Sequence, residues 1–188
     1  MTTSASTTPT SAPASAATST KPKLVPCLWF NMNAEEAVQF YAGIIPDTKV
    51  IATSYYTDNM PLPDGTVLTV EFELAGQRYT ALNGGDQFPF TEAISLQLYV
   101  DDQAELDRYW AALTADGGSE GPCGWLKDKY GLSWQIVPTA IEQWINDPDR
   151  ERAAAVAGAL MKMHKIDIAA LQAAADNASA ASAPVSSA

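Results

Sequence analysis

The sequence is poor in the residues from which metal and nucleophilic sites are usually built. Its 188 residues include one histidine and two cysteines, Cys27 and Cys123. The cysteines lie far apart and form no CxxC pair, which argues against a disulfide framework and against a zinc knuckle. The histidine, His164, falls in a C-terminal helical pattern, where a solvated residue is the simplest interpretation. Few cysteines and no disulfide pattern predict a reducing, cytoplasmic location.

Basic residues are scarce as well. Lys and Arg number 11 against 22 Asp and Glu, which gives a formal net charge of -11. Nucleic acids and anionic membrane surfaces are therefore not expected as partners. The chain also has no apolar run near the roughly 18 residues of a membrane span. A small-molecule ligand is the partner that this composition leaves open.

Both ends of the chain lack apolar runs. Residues 1–22 and 177–188 are mostly Ser, Thr, Ala and Pro, so we expect two disordered tails. The first tail has neither the basic start nor the apolar stretch of a secretory signal. The folded part is predicted to be one domain over residues 23–139, followed by helices over residues 140–176.

The predicted domain contains the same order of elements twice. An apolar strand over residues 24–30 precedes a helical pattern and three strand patterns at residues 48–57, 66–76 and 77–83. A second strand pattern at residues 93–100 precedes a helix at residues 101–116 and three short strands that end near residue 137. With an offset of 69 the helices align, Asn33 with Asp102 and Tyr41 with Trp110.

Two βαβββ modules, at about residues 24–85 and 93–139, follow from this repeat. The class is α+β, and each helix should cover one face of its sheet and leave the other face free. Two such sheets can form an incomplete barrel around a cavity. The helices are expected to begin at Asn33 and at Asp101 or Asp102, which can cap them.

The C-terminal region is predicted to be helical. Patterns at residues 139–147 and 148–165 indicate two helices, the second beginning at Pro148 after Asp147, and a short helix follows from Asp167. Their apolar residues suit either the domain itself or a second subunit. A homodimer is therefore one of two open alternatives.

Several segments carry a family resemblance. PCLWFN, EEAVQFY, TALNGG, DDQAELDRYW and above all GPCGWLKDKYGLSWQIVPT resemble the PhnB-like branch of the vicinal oxygen chelate superfamily, which includes glyoxalase I, extradiol dioxygenases and bleomycin-resistance proteins. The resemblance covers about residues 24–175. Members of this branch often carry the name 3-demethylubiquinone-9 3-methyltransferase. The resemblance implies the two-module fold and, in metal-using members, one ligand on the first and one on the last strand of each module.

The four implied ligand positions carry unsuitable side chains. Counting along the repeats places them at Pro26, Thr80, Ser95 and Gln135, which include no imidazole, thiolate or carboxylate. We therefore expect no metal and no other cofactor. A register error of one residue would bring Glu71, Glu73 or Glu92 into question.

Strand parity predicts a polar, uncharged cavity lining. If Ser95 faces inward, Gln97 and Tyr99 do as well, and Gln135 shares a face with Ser133 and Val137. The predicted ligand-binding residues lie on these strands and nearby: Gln135, Gln97, Ser95, Tyr99, Thr80, Asn83 and Trp125. Mutual pairing of Gln97 and Gln135 is an equally open alternative, and Tyr99 and Trp125 can serve packing alone.

No catalytic residue is identified by the sequence. Cys123 beside Lys127 is either an activated thiolate or an ordinary thiol, and Glu92 and Lys127 are either an acid/base pair or surface charges. The resemblance and the cavity together predict a metal-independent protein that binds a small organic molecule. The alternatives are a metal-dependent lyase, isomerase or dioxygenase, and a methyltransferase. The last normally requires a glycine-rich strand-to-helix loop, which the sequence lacks.

Overall fold

The computed structural model describes residues 22–182, so the predicted first tail lies outside them apart from Pro22. The first module contains β1 (Cys27–Phe30), α1 (Ala34–Ile44), β2 (Lys49–Tyr55), β3 (Val67–Leu74) and β4 (Gln77–Asn83). Its sheet has the order β1-β4-β3-β2. β1 runs parallel to β4, and the other pairs are antiparallel.

The second module repeats this arrangement. It contains β5 (Ser95–Val100), α2 (Gln103–Thr114), β6 (Ser119–Glu120), β7 (Trp125–Lys127) and β8 (Ser133–Pro138), with a 3-10 turn at Ala115–Gly117. The sheet order β5-β8-β7-β6 matches that of the first module. The two four-stranded sheets remain separate in the described chain and close no barrel. The predicted α+β duplication is confirmed.

Equivalent residues of β1 and β5, the first strands of the two modules, are one position further apart in the sequence than equivalent residues of the two helices. Cys27 pairs with Thr80, and Gln97 pairs with Gln135, so Gln97 corresponds to Cys27 at an offset of 70. The helix starts Ala34 and Gln103 keep the offset of 69. The first module has three residues between strand and helix and the second has two, and Met32 takes up the extra length at a positive φ of 60°. The predicted equivalence of Pro26 with Ser95 is therefore wrong by one position.

The two module helices are capped in different ways. Asp102 caps α2 as predicted, because its carboxylate accepts a hydrogen bond from the Glu105 amide at 2.8 Å. Asn33 makes no side-chain cap at α1. The Ala34 amide instead donates to the Asn83 side chain of β4 at 2.9 Å. A residue on a distant strand thus accepts the hydrogen bond that we expected the adjacent Asn33 to accept.

Three helices follow the second sheet: α3 (Ile141–Ile145), α4 (Arg150–Leu160) and α5 (Ile168–Ser182). α4 begins two residues after the predicted Pro148, because the Asp149 carboxylate accepts hydrogen bonds from the Glu151 and Arg152 amides. α5 continues six residues beyond the predicted end of the helical region at residue 176. No helix among residues 22–182 has the length and apolar character needed to cross a membrane.

The C-terminal helices pack on their own chain. Ile141, Val156, Ile166 and Leu171 are buried and belong to the same core as the two modules. These residues therefore dock on their own domain, which is one of the two alternatives predicted for the apolar faces of these helices. The second subunit is not needed to cover them.

The modules meet around a buried carboxylate, Asp128, in the turn between β7 and β8. One oxygen accepts hydrogen bonds from the amides of Tyr130 and Leu132 at 2.9 and 3.1 Å. The other accepts from the Tyr41 hydroxyl of α1 at 2.8 Å and from the Trp134 indole at 2.9 Å. Burial raises the pKa of Asp128 above its usual value, and the four hydrogen bonds oppose this rise without reversing it. All four partners donate, so the ionised carboxylate is the form that fits them.

Replacing Asp128 with Asn should destabilise the protein strongly. An amide offers one oxygen to four donors, so its NH2 group must face two of them, and we expect a loss of about 2–4 kcal/mol in the free energy of unfolding. Urea unfolding followed by tryptophan fluorescence measures the loss. Asp64→Asn, at an exposed turn position, is the matched control and should change stability by less than about 0.5 kcal/mol. Equal stabilities of the two variants would contradict this role of Asp128.

Candidate functional site

The face of the second sheet that points away from α2 carries most of the predicted site residues. Directly paired residues on neighbouring strands point to the same side of a sheet. One row across this free face is therefore Ser95, Ser133, Lys127 and Ser119. The next row is Gln97, Gln135 and Trp125. The strand register confirms the prediction that Gln97 and Gln135 point to the same side of the sheet as Ser95.

A chain of hydrogen bonds runs along this face. The Gln135 amide donates to the Ser95 hydroxyl at 2.8 Å, and the Gln97 amide donates to the Gln135 carbonyl at 3.3 Å. The Tyr99 hydroxyl lies 3.4 Å from the Gln97 carbonyl and 3.2 Å from a Glu142 carboxylate oxygen. The hydrogen bond to Glu142 is the main cause that raises the pKa of Tyr99. The two glutamines thus pair with each other, as one of our alternatives proposed.

A cavity of about 490 Å³ opens beside this chain of hydrogen bonds. It is lined by Glu92, Ser119, Glu120, Gly121, Pro122, Trp125, Leu126, Lys127 and Ser133. Trp125 alone among the predicted ligand-binding residues belongs to this lining. We predicted a cavity between the modules, whereas this one is formed by the second module and the segment that leads into it.

The charges at this cavity are paired with protein groups. The Lys127 ammonium lies 2.6 Å from a Glu92 oxygen, and this hydrogen bond lowers the pKa of Glu92. The Glu120 carboxylate accepts a hydrogen bond from the Trp110 indole at 2.8 Å. Glu92 and Lys127, the predicted acid/base candidates, therefore lie together at the cavity as an ion pair.

Ser133 has an unusual environment. Its side chain is fully buried, and in the part of the chain that the structure describes its hydroxyl has no hydrogen-bond partner. An unpaired buried hydroxyl is costly, so it marks a position where an external partner would be favourable. Sequence reasoning placed Ser133 on the correct face but not among the ligand-binding residues. Its position beside Lys127 would have indicated a role at the cavity, but that position follows only from the register of β7 and β8.

Other predicted residues lie elsewhere. Thr80 is on the first sheet, beside Cys27, and its amide donates to the Pro26 carbonyl at 2.9 Å. Asn83 is buried on the side of β4 that faces α1, and its side chain is hydrogen-bonded to the Ala34 amide and the Val67 carbonyl. Both ends of its amide are used by the fold, and a contact between Asn83 and a ligand stays a prediction.

Cys123 has a structural environment of its own. Its sulfur lies 3.6 Å from the Met161 sulfur, and its amide donates to the Met163 carbonyl. The Gly124 amide of this loop donates to the backbone carbonyl of His164. No side chain that these contacts bring to the thiol can act as its base, so they favour an ordinary thiol.

The donor set does not fit a divalent transition metal. The strand register replaces Pro26 and Ser95 by Cys27 and Gln97 as the residues facing Thr80 and Gln135. Partial burial of its sulfur raises the pKa of Cys27, which disfavours the thiolate that a metal requires. Among residues 22–182, no three His, Cys, Asp or Glu side chains are grouped so that they could hold a metal ion.

A family model described as 3-demethylubiquinone-9 3-methyltransferase matches residues 22–137. The chain belongs to this family. The PhnB protein of Bacillus cereus, which is named for the same methyltransferase, is 31% identical, with coverage of 63% of this chain and 100% of that chain and a TM-score of 0.56. Protein PA1353 from Pseudomonas aeruginosa is 22% identical, with coverage of 63% and 98% and a TM-score of 0.51. A search of curated proteins finds no match to the chain.

These comparisons confirm the predicted PhnB-like branch and the vicinal oxygen chelate fold. They also set the C-terminal helices apart. The family match ends at residue 137, before α3, and the Bacillus cereus protein is covered completely by 63% of this chain. Residues from α3 to α5 thus extend beyond the part that is shared.

S-adenosylmethionine, the usual methyl donor, does not fit the residues of this fold. The adenosine part of such a cofactor is commonly held beside a glycine-rich turn between a strand and a helix of a parallel sheet. Here residues 31–33 after β1 and residues 101–102 after β5 contain no glycine. Each sheet, moreover, has only one parallel strand pair. We derive no step through this cofactor.

Ser133→Ala and Ser95→Ala should have opposite effects on stability. Removing the unpaired hydroxyl of Ser133 relieves a desolvation cost, so we expect the free energy of unfolding to rise by about 0.5–1 kcal/mol. Removing the Ser95 hydroxyl leaves the Gln135 amide without its acceptor, so we expect a fall of about 1 kcal/mol. Urea unfolding of both variants tests this difference. A loss at Ser133 as large as that at Ser95 would show that the Ser133 hydroxyl has a partner in the unliganded protein.

Proposed function

We propose that this protein binds a small organic molecule on the free face of its second sheet, without a resident metal. The ligand would occupy the 490 Å³ cavity, with Trp125 as an aromatic wall. Gln135, Gln97 and Ser95 do not line the cavity, but Gln135 pairs with Trp125 at its edge. A ligand that extends from the cavity along the free face would replace their mutual hydrogen bonds with bonds to itself. Tyr99 lies at the end of the same hydrogen-bond chain.

The observation that carries this proposal is the unpartnered hydroxyl of Ser133, a cavity-lining residue whose side chain is buried, so a ligand would reach the hydroxyl after a local shift of the wall. A fold that leaves a hydroxyl unpaired gives up stability unless a ligand completes the hydrogen bond. The cavity volume lies within the range of small-molecule sites, and few polar groups converge on it. Both features support a site for an organic ligand better than they support plain packing.

Metal-independent binding is favoured by the donor chemistry. Threonine, two glutamines and a protonated thiol are weak ligands for Ni, Zn, Fe or Mn. A metal-dependent lyase, isomerase or dioxygenase would need several strong donors at one site, whereas among these four facing positions Cys27 alone could become one, by losing its proton. Thr80 lies on the first sheet, so it could take part only in a ligand site formed there. We propose no direct contact between Thr80 and the ligand.

A thermal-shift screen of aromatic antibiotics, quinones and thiol conjugates tests the proposal. A ligand at about 100 times its Kd should raise the free energy of unfolding by about 2.7 kcal/mol. Gln135→Ala should weaken that ligand's affinity about 5- to 30-fold, because the hydrogen bond is lost. Gln39→Ala, at an exposed position of α1, is the matched control and should keep the full shift.

Two results would contradict the proposal. Equal shifts in Gln135→Ala and Gln39→Ala would place the ligand away from the free face. Elemental analysis that finds a stoichiometric transition metal in the purified protein would refute metal independence, whatever the outcome of the screen. The two measurements separate the location of the site from its chemistry.

We propose further that the protein is a homodimer and that it is located in the cytoplasm. Val50 and Tyr55 on β2 are 52% and 53% exposed, and such apolar side chains suit a second copy of the chain. The two free cysteines, Cys27 and Cys123, suit a reducing compartment. Light scattering should give a mass near twice the 20.0 kDa of one chain. A mass of one chain at micromolar concentration would contradict the dimer.

A further inference from the structure

A second cavity, separate from the one described above, lies at the end of β1. Its volume is about 240 Å³, and at the roughly 30 Å³ that a water molecule occupies in the liquid it has room for about eight heavy atoms. It is lined by Trp29, Phe30, Asn31, Asn33, Gly85, Asp86, Phe88, Pro89, Phe90, Tyr130 and Gly131. Five of these residues are aromatic. None of them lines the 490 Å³ cavity.

The aromatic rings stand nearly at right angles to one another. Trp29 and Phe88 have ring centroids 4.9 Å apart with an angle of 79° between planes. Phe30 makes similar contacts with Phe90, at 5.2 Å and 74°, and with Tyr130, at 6.1 Å and 82°. Rings in such an arrangement form adjoining walls rather than a stack, so a guest can contact the faces of some rings and the edges of others.

The walls are held in place by the backbone. The Trp29 indole N–H donates to the Gly85 carbonyl at 2.8 Å. Gly84 has no side chain where the Trp29 ring lies, since a Cβ there would come within 2.2 Å of the ring. The indole is thus fixed before any ligand arrives. Phe88, by contrast, is 62% exposed although it lies against this ring, which leaves one wall accessible from solvent.

Charged groups flank one of these walls. The Tyr130 hydroxyl donates to the Glu36 carboxylate at 2.8 Å, which polarises the O–H bond towards the carboxylate. The Lys129 ammonium lies 3.0 Å from a Glu36 oxygen and 5.1 Å from the centroid of the Tyr130 ring, so a cation is accommodated beside this ring when a carboxylate is close by. The lining residues include one acidic residue, Asp86, and no Lys, Arg or His.

We propose that this cavity binds a small organic cation, such as a methylated ammonium group. Aromatic faces attract cations through their quadrupole, and quaternary ammonium groups are recognised by several such rings together. The carboxylate of Asp86 adds a charge of the required sign. Asn31 and Asn33 supply amides that can bind a hydroxyl or carbonyl group elsewhere on the ligand.

Choline chloride is the probe that tests this inference, with 3,3-dimethylbutan-1-ol as its neutral isostere. The readout is the indole N–H signal of Trp29 in a nitrogen–proton correlation spectrum of the full chain. Choline should shift this signal in a saturable way, whereas the isostere should bind at least about 3-fold more weakly because it lacks the cation. Sodium chloride at the same concentrations corrects for ionic strength.

Phe88→Leu keeps an apolar side chain and removes a ring face, so it should weaken choline binding about 3- to 10-fold and leave the isostere unchanged. Asp86→Asn should weaken choline binding and reduce its dependence on salt. Asp58→Asn, at another exposed position, is the matched control and should leave binding unchanged. Circular dichroism checks that each variant is folded.

Three results would overturn the inference. These are equal binding of choline and its isostere, no saturable shift of the Trp29 signal with choline, or unchanged choline affinity in both Phe88→Leu and Asp86→Asn. Each result concerns residues outside the cavity of the second sheet. A failure here therefore leaves the proposed function intact, and the converse also holds.

Discussion

The carboxylate of Asp128 joins the two modules of this protein into one core. Its four hydrogen bonds orient the turn between β7 and β8, hold the Trp134 indole and reach across to Tyr41 of α1. The Tyr41 and Trp134 rings meet edge to face at 5.5 Å beside it. Because an ionised carboxylate is expensive to bury without partners, every one of these groups is constrained together. The position of the second sheet relative to α1 depends on this arrangement.

That constraint also connects the two candidate sites. The turn that contains Asp128 continues into Tyr130, which lines the aromatic cavity, and into Ser133, which lines the cavity of the second sheet. The two hydroxyls have different surroundings. Tyr130 donates to Glu36, whereas the hydroxyl of Ser133 has no partner among the described residues. The turn and the start of β8 thus place a hydrogen-bonded tyrosine at one cavity and a serine hydroxyl without a described partner at the other.

The modules have diverged in the use of equivalent positions. In the second module the first and last strands place Gln97 and Gln135 side by side, and the two amides bond to each other. In the first module the corresponding pair is Cys27 and Thr80. The C-terminal extension adds to this difference, since Glu142 of α3 contacts Tyr99 on the second sheet. The second face therefore carries a chain of side-chain hydrogen bonds from Ser95 to Glu142.

Much of the fold could be predicted from local patterns. Alternation along the strands, helical spacing and the repeated order of elements depend on neighbours within a few residues, so both modules and the face that carries Gln97 and Gln135 were predicted correctly. The capping of α1 by Asn83 could not be predicted, because strand and helix are 49 residues apart. The one-residue shift at Met32 was missed for a related reason, since its left-handed backbone has no signature in a non-glycine residue.

The sequence by itself determined the βαβββ duplication, the family, the scarcity of strong metal ligands and the polar character of the strands at Ser95 and Gln135. These depend on residue type and period, which are local properties of the chain. Tertiary structure alone decided which side chains meet. Cross-strand register placed Ser133 beside Lys127, and tertiary packing left the Ser133 hydroxyl unpaired. Packing within the first module used both ends of the Asn83 amide. Pairing over long sequence distances is a property of the packed chain, and no local pattern encodes it.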